Sequence, residues 1–405
     1  MDKFINTVAS HRIDLDGQDA FCTTSCVPFF YWYENKAHAT IRILRFKDFN
    51  GMLVFSNLAH GIVDGFGQLK FMSRWSEISK KLQEAGDISM LKVPERRYLH
   101  DRSIHSTYKC KGADAVDPDS YNAYSTPTLA SKLLAWVSPK LRALVFNAVV
   151  SLDPSRCCYF RISKKTVENL RQAVQNHAPD SNVRYSRNDI FSALVTTAII
   201  RATQKYYLEQ ESNSPATSIF RYISSISHID KPMNALLMIP VDLRSRIGNP
   251  DAASYVGNMI IARCILIPLD NYNEGATPKA MAVVASYIRQ AVAGMNKRCI
   301  GQHSTLMNKS SEVFARAILF SNNFRYKLLV SNHILFEHYS MDFGSGIPDL
   351  VRPGTVAFPN IVFVMPCSPG SDTYELMLSI PRAVRERILQ DESWMQLVEG
   401  YSVDE

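Results

Sequence analysis

The sequence predicts a mixed α/β fold divided between two domains, and three observations carry that expectation. Its 405 residues are more than one hydrophobic core ordinarily serves, and 46% hydrophobic with 20% charged residues is the composition of a globular chain with substantial cores. Short β-type apolar runs and amphipathic helical repeats follow one another without the regular strand-helix-strand order of a doubly wound parallel sheet. No repeat of fixed period organises the chain. Two domains imply a cleft between them.

Residues 1–36 show no decisive period, and the aromatic stretch Cys26 to Tyr33 suits a strand or a loop equally. Ile41 to Phe46 reads as a strand, Asn50-Gly51 as a two-residue hairpin turn, and Met52 to Leu58 as the returning strand. Gly61, Gly65 and Gly67 permit a tight exit, after which Leu69, Met72, Trp75, Ile78 and Leu82 recur at helical spacing. Gly86 to Thr128 is rich in Pro, Asp, Arg, Ser and Tyr without a period, and reads as an unusually long ordered loop. Leu129 to Leu152 is the most apolar long segment. Lys132, Lys140 and Arg142 make it a poor membrane span, and Pro139 divides it into a helix pair, buried or interfacial.

Beyond it, Tyr159 to Ile162 reads as a strand and Lys165 to Gln175 as a helix with Val167, Leu170 and Val174 on one face. Ser186 with Asp189 three residues on has the form of a capping box, and the apolar run Ile190 to Ile200 makes the helix that follows a buried one. Residues 208–233 read as a loop, Leu236 to Val241 as a buried strand, and Tyr255 to Pro268 as containing another. Thr277-Pro278 has the N-cap and N1 chemistry of a helix start, with the helix running to about Asn296. Ile334 to Phe336, Ile361 to Met365 and Tyr374 to Ile380 are expected strands, and a final helix carries Ile388, Leu389 and Trp394.

The net charge of +7 is scattered: Lys80-Lys81, Arg96-Arg97 and Lys164-Lys165 are pairs, and no basic-aromatic interleaving points to nucleic acid. Eight cysteines, at 22, 26, 110, 157, 158, 264, 299 and 367, are too sparse for a disulfide framework. They have no paired metal-ligand spacing; Cys22 and Cys26 lack a second pair of ligands, so no metal is expected. Cys157-Cys158 opens a strand and reads as core. Met1 to Gln18 is polar and charged, unlike a signal peptide, so a cytoplasmic location is expected.

The candidate for chemistry is His60-Gly61-Ile62-Val63-Asp64-Gly65, a histidine delivered by a strand end and followed four residues later by an aspartate. Imidazole is the side chain whose ordinary pKa lies near neutrality, so it can take a proton from a hydroxyl or amine without extreme tuning. By itself the spacing also suits a hydrogen-bonded structural histidine. The strand-to-helix corner at which it sits is a rigid place to present a reactive group.

Four further segments fall in order behind it: Ser186-Arg187-Asn188-Asp189, Val241 to Arg246, Gly257-Asn258, and Asp342-Phe343-Gly344-Ser345-Gly346. With the histidine motif they closely resemble the BAHD-type acyl-CoA-dependent acyltransferases, in the fungal branch that includes trichothecene O-acetyltransferases. The resemblance runs from about residue 37 to the C-terminus, and the DFGxG element narrows it from the wider superfamily that shares HxxxD. It implies two chloramphenicol-acetyltransferase-like domains with a channel between them. These are placed at 1–155 plus 340–368, and at 156–339 plus 369–405. It implies transfer of an acyl group, acetyl first, from acyl-CoA to a hydroxyl of a small secondary metabolite by a monomer that binds no tight cofactor.

Within that resemblance His60 is the general base. Asp64 holds the loop through an arginine, Arg244 or Arg246; Gly65, Asp342, Gly344 and Gly346 are structural motif positions. Ser331 and Asn332 are the candidate donors to the oxyanion or channel residues, and Ser186, Asn188 and Asp189 cap a helix beside it. Two departures stand out: Ser345 occupies the tryptophan position of the common DFGWG form, and 59 residues precede His60, which reads as a shortened first domain. N-acylation, an acyl donor on a carrier protein, and a non-catalytic CoA- or metabolite-binding paralogue are the competing readings.

Overall fold

The computed structural model describes residues 39–45, 51–58, 60, 62–86, 104, 155–180, 182–213, 234–301, 326–354 and 360–403. The expectations for residues 1–36, most of 86–128 and all of 129–152, with Cys22, Cys26 and Cys110, lie outside them. The first part is a hairpin of β1 (Ala39–Arg45) and β2 (Met52–Leu58), followed by α1 (Gly65–Ala85). Arg45 pairs with Met52, a register that does not fit the two-residue turn expected at Asn50-Gly51, in which residue 49 would face Met52. Leu69 and Met72 of α1 pack with Met341, and Val54, Phe71, Trp75, Phe336 and Phe343 close round them.

The second part is a seven-stranded mixed sheet in the order β5-β4-β6-β7-β8-β3-β9. Its strands are β3 (Ser155–Ser163), β4 (Asn234–Asp242), β5 (Ile260–Pro268), β6 (Lys327–Asn332), β7 (Ile361–Met365), β8 (Thr373–Pro381) and β9 (Gly400–Val403). The pairs β4–β6 and β6–β7 are parallel and the rest antiparallel. The strand 361–365, grouped with the first domain by the resemblance, is an inner strand here. One face is covered by α2 (Lys164–Asn176), α3 (Arg187–Asn213), α4 (Pro278–Ala293) and α5 (Arg382–Leu389). Period-two alternation explains both faces: Tyr374, Leu376, Leu378 and Ile380 enter the helix-covered core, while Met377 joins Cys157 and Tyr159 on the other, also buried.

Local chemistry sets the helix ends. Ser186 and Asp189 cap α3 reciprocally: the Ser186 N–H donates to Asp189 Oδ2 at 2.7 Å and the Asp189 N–H to Ser186 Oγ at 3.3 Å. Thr277 Oγ1 accepts from the Ala280 N–H at 3.3 Å to start α4. Three expectations are corrected. Helix α3 continues to Asn213, through residues 208–213 read as loop; Glu209, paired with Arg387, belongs to its last turns. Ile334 to Phe336 is not a strand: β6 precedes it, and Asn332 Oδ1 accepts from the Ile334 N–H at 3.0 Å, turning the chain. The final helix is two, α5 and α6 (Glu392–Met395), because Asp391 caps a new start. Among the described residues no helix is long and apolar enough to cross a membrane.

Candidate active site

His60 sits in the turn between β2 and α1, partly buried. Its backbone carbonyl accepts from Asn258 Nδ2 at 2.7 Å, across 198 residues of sequence. Its ring Nδ1 is buried and has no hydrogen-bond partner among the described residues. A buried ring nitrogen without a partner is costly unless a ligand or solvent completes it.

Asp64, the N-cap of α1, is only 1% exposed. Its Oδ1 accepts from the Gly67 N–H at 2.9 Å and its Oδ2 from the Met259 N–H at 2.9 Å. Of the two candidate arginines, Arg244 reaches it: one guanidinium nitrogen lies 3.0 Å from Oδ1 and 2.9 Å from Oδ2. Arg246 instead donates to the Val292 carbonyl at 3.0 Å. Arg244 also donates to the Tyr255 carbonyl at 2.9 Å, the Gly257 carbonyl at 2.9 Å and Asp242 Oδ1 at 2.8 Å, and its Cζ lies 4.4 Å from the Phe66 ring centre. A buried ion pair persists only with its hydrogen bonds filled in this way. Both carboxylate oxygens are therefore committed, and Asp64 is not left free to orient or charge the His60 ring. The contact is close enough to demand glycine at residue 67: a methyl group there would lie 2.0 Å from the Val256 carbonyl oxygen.

The end of β6 carries Ser331 and Asn332, the two donors expected from the sequence. Ser331 Oγ lies 3.0 Å from His333 Nε2, and Asn332 Nδ2 is buried with no hydrogen-bond partner among the described residues. The His333 ring packs against Phe336, His338 and Phe363, with ring centres 4.7, 5.7 and 5.5 Å away. Burial pushes the His333 imidazole down to about 3, helped by His338, and pushes His338 down to about 4. This cluster touches the histidine turn: a methyl group built on Gly65 would lie 3.1 Å from the Phe336 ring and 3.9 Å from His333 Cε1.

Asp342 belongs elsewhere. Its Oδ1 accepts from the Gly344 and Gly346 N–H groups at 2.8 and 3.0 Å, and its Oδ2 pairs with Lys80 at 2.8 Å. Hydrogen bonding to Lys80 and then to Gly344 holds its carboxyl below the usual range. Gly344 has a φ of 99°, which an L side chain rarely adopts, and Gln83 crowds it while donating to the Phe343 carbonyl at 2.9 Å. The DFGSG loop is thus tied to the far end of α1. From Asp64 to Lys80 a helix rises about 24 Å at ~1.5 Å per residue. His60 is tied to Asn258, Asp64 to Arg244, and Gly65 abuts the ring cluster that Ser331 joins through His333; Asp342, Gly344 and Gly346 bond to one another and to Lys80 on α1. Sequence reasoning missed His333 and His338, which flank the stretch Ile334 to Phe336 read as a strand.

A model of the Transferase family matches residues 159–395, more than half of the chain. No curated protein sequence matches. Among solved structures, TRI101 of F. sporotrichioides with coenzyme A and T-2 is similar at TM-score 0.58 and 15% identity, covering 91% of this chain and 73% of that one. TRI101 of F. graminearum with coenzyme A and deoxynivalenol is similar at 0.56 and 16% identity, covering 91% and 71%. Vinorine synthase is similar at 0.54 and 14% identity, covering 91% and 68%. At such identities the likeness is one of fold.

Proposed function

The chain belongs to the Transferase family, the BAHD-type acyl-CoA-dependent acyltransferases, and from that membership we propose that it moves an acetyl group from acetyl-CoA to a hydroxyl of a small secondary metabolite, with His60 as general base. As the acceptor oxygen attacks the thioester carbonyl carbon, its proton passes to the imidazole. The tetrahedral intermediate collapses with cleavage of the C–S bond, and the same proton leaves on the CoA thiol. Asp64 and Arg244 act at a distance, by holding the turn. Ser331 or Asn332 supplies the hydrogen-bond donor for the developing oxyanion, a role worth several kcal/mol of barrier where one is well placed. The TRI101 structures hold coenzyme A with T-2 or deoxynivalenol, which supports a pairing of CoA with a small-molecule acceptor here.

The observation that carries this reading is the knot between residues 64 and 244. It fixes the histidine turn against the large sheet and, among the described residues, leaves the His60 ring without a carboxylate partner, as suits a base that acts alone. Release of free thiol from acetyl-CoA by the purified chain, with a panel of terpenoid, polyketide and indole alcohols and their amine analogues, tests it. Acceptor-dependent release with alcohols is the expected result. Folded protein that neither releases thiol with any acceptor nor binds CoA by calorimetry would replace the enzyme by a non-catalytic relative.

A further inference from the structure

Beside the His60 turn lies a second imidazole that the mechanism above does not use. The His333 N–H donates to the Val364 carbonyl at 2.8 Å, which fixes the backbone, and Phe336, Phe363 and His338 wedge the ring. Residues 331 and 333 are two apart, and His333 Nε2 lies 3.0 Å from Ser331 Oγ. A hydroxyl has one hydrogen to give and two lone pairs to receive with. If the ring accepts from Ser331, that hydrogen is spent; if the ring donates, it stays available.

Resting on the acyltransferase reading and deepening it, we propose that His333 is a positioning residue. In its Nε2–H form it donates to Ser331 Oγ and so leaves the Ser331 hydroxyl hydrogen for the thioester oxygen at the His60 site. No bond forms or breaks at His333. Its burial keeps the ring neutral across the working pH range, so the donor is not changed by protonation. Phe336, against Gly65, ties the cluster to the turn that carries His60.

The test compares wild type, Ser331→Ala, His333→Phe, His333→Gln and the Ser331→Ala/His333→Phe double variant for thiol release. Nitrogen-edited long-range spectra of the imidazole rings report the tautomer. Ser331→Ala and His333→Phe are expected to lower kcat each by about 10²-fold, with KM for acetyl-CoA unchanged. The double variant should be no slower than Ser331→Ala alone, because His333 acts only through that hydroxyl. His333→Gln keeps an N–H donor and should recover most of the rate. The spectra should show Nε2–H in the wild type, with its shift moved in Ser331→Ala. Losses that multiply in the double variant, a Gln variant as slow as Phe, or an Nδ1–H tautomer would overturn the proposal. Wild type that is folded and binds CoA but releases no thiol with any acceptor would instead remove the acyltransferase reading, and the role of His333 with it.

Discussion

At the scale of single residues, the site divides into a side chain left open and side chains fully spent. Arg244 serves four acceptor groups on three separate segments, Asp64 among them, at 6% exposure. Removing one partner of such a pair leaves the other charge buried and uncompensated, at a cost of about 3–5 kcal/mol. Arg244→Ala is therefore expected to lower the unfolding free energy by that amount, measured by urea denaturation, and Arg244→Lys to recover little, since an ammonium cannot reproduce the planar fork. A variant with unchanged stability would detach this knot from the fold. The choice of Arg244 over Arg246 was not legible in the sequence. Both stand in one turn after β4, and only the packing of Tyr255 and Gly257 round the former selects it.

At the scale of elements, α1 is the part on which the site depends. Its N-cap is Asp64 and its body carries Lys80 and Gln83 to the DFGSG loop. The helix can dock only because residue 67 lacks a side chain. Gly67→Ala would gain helix propensity of about 0.8–1 kcal/mol in an open helix. Here it must instead push against the backbone at Val256, so a net loss of stability together with loss of activity is expected, read by thermal melts and thiol release. A stabilised, active Gly67→Ala would refute the contact.

Elements with a sustained period were legible: β8 alternates, α2 presents Val167, Leu170 and Val174, and both were placed within about a residue or two of their observed ends. Those whose ends are set by one side-chain hydrogen bond were not. Ile334, Leu335 and Phe336 look like a strand because they are apolar, yet the Asn332 turn sends Ile334 to the main core and Phe336 to the α1 cluster, and leaves Leu335 89% exposed. The histidines that flank them were hidden for the same reason.

At the scale of the whole molecule, the buried imidazoles link the site to acid stability. Folded values of about 3 for His333 and about 4 for His338 lie below the unfolded value of ~6.5. Below ~6.5 the unfolded chain binds more protons, so these groups favour the fold in full above that pH. Their contribution falls as pH drops toward 4 and 3, by up to about 1.4 kcal/mol per pH unit for each. Denaturation measured between pH 7.5 and 5 should show His333→Gln losing stability less steeply than wild type. Equal slopes would mean that His333 titrates in the fold as it does in the unfolded chain.

The central claim is that His60, held by a turn whose own carboxylate is committed elsewhere, acts alone as the base of acyl transfer. The most direct measurement is the rate of acceptor-dependent thiol release from acetyl-CoA by His60→Ala, beside a melt and a CoA titration of the same protein. The account predicts a loss of about 10² to 10⁴ in kcat, with the melting midpoint and CoA affinity close to wild type. Undiminished turnover in the folded variant would contradict it and move the base elsewhere.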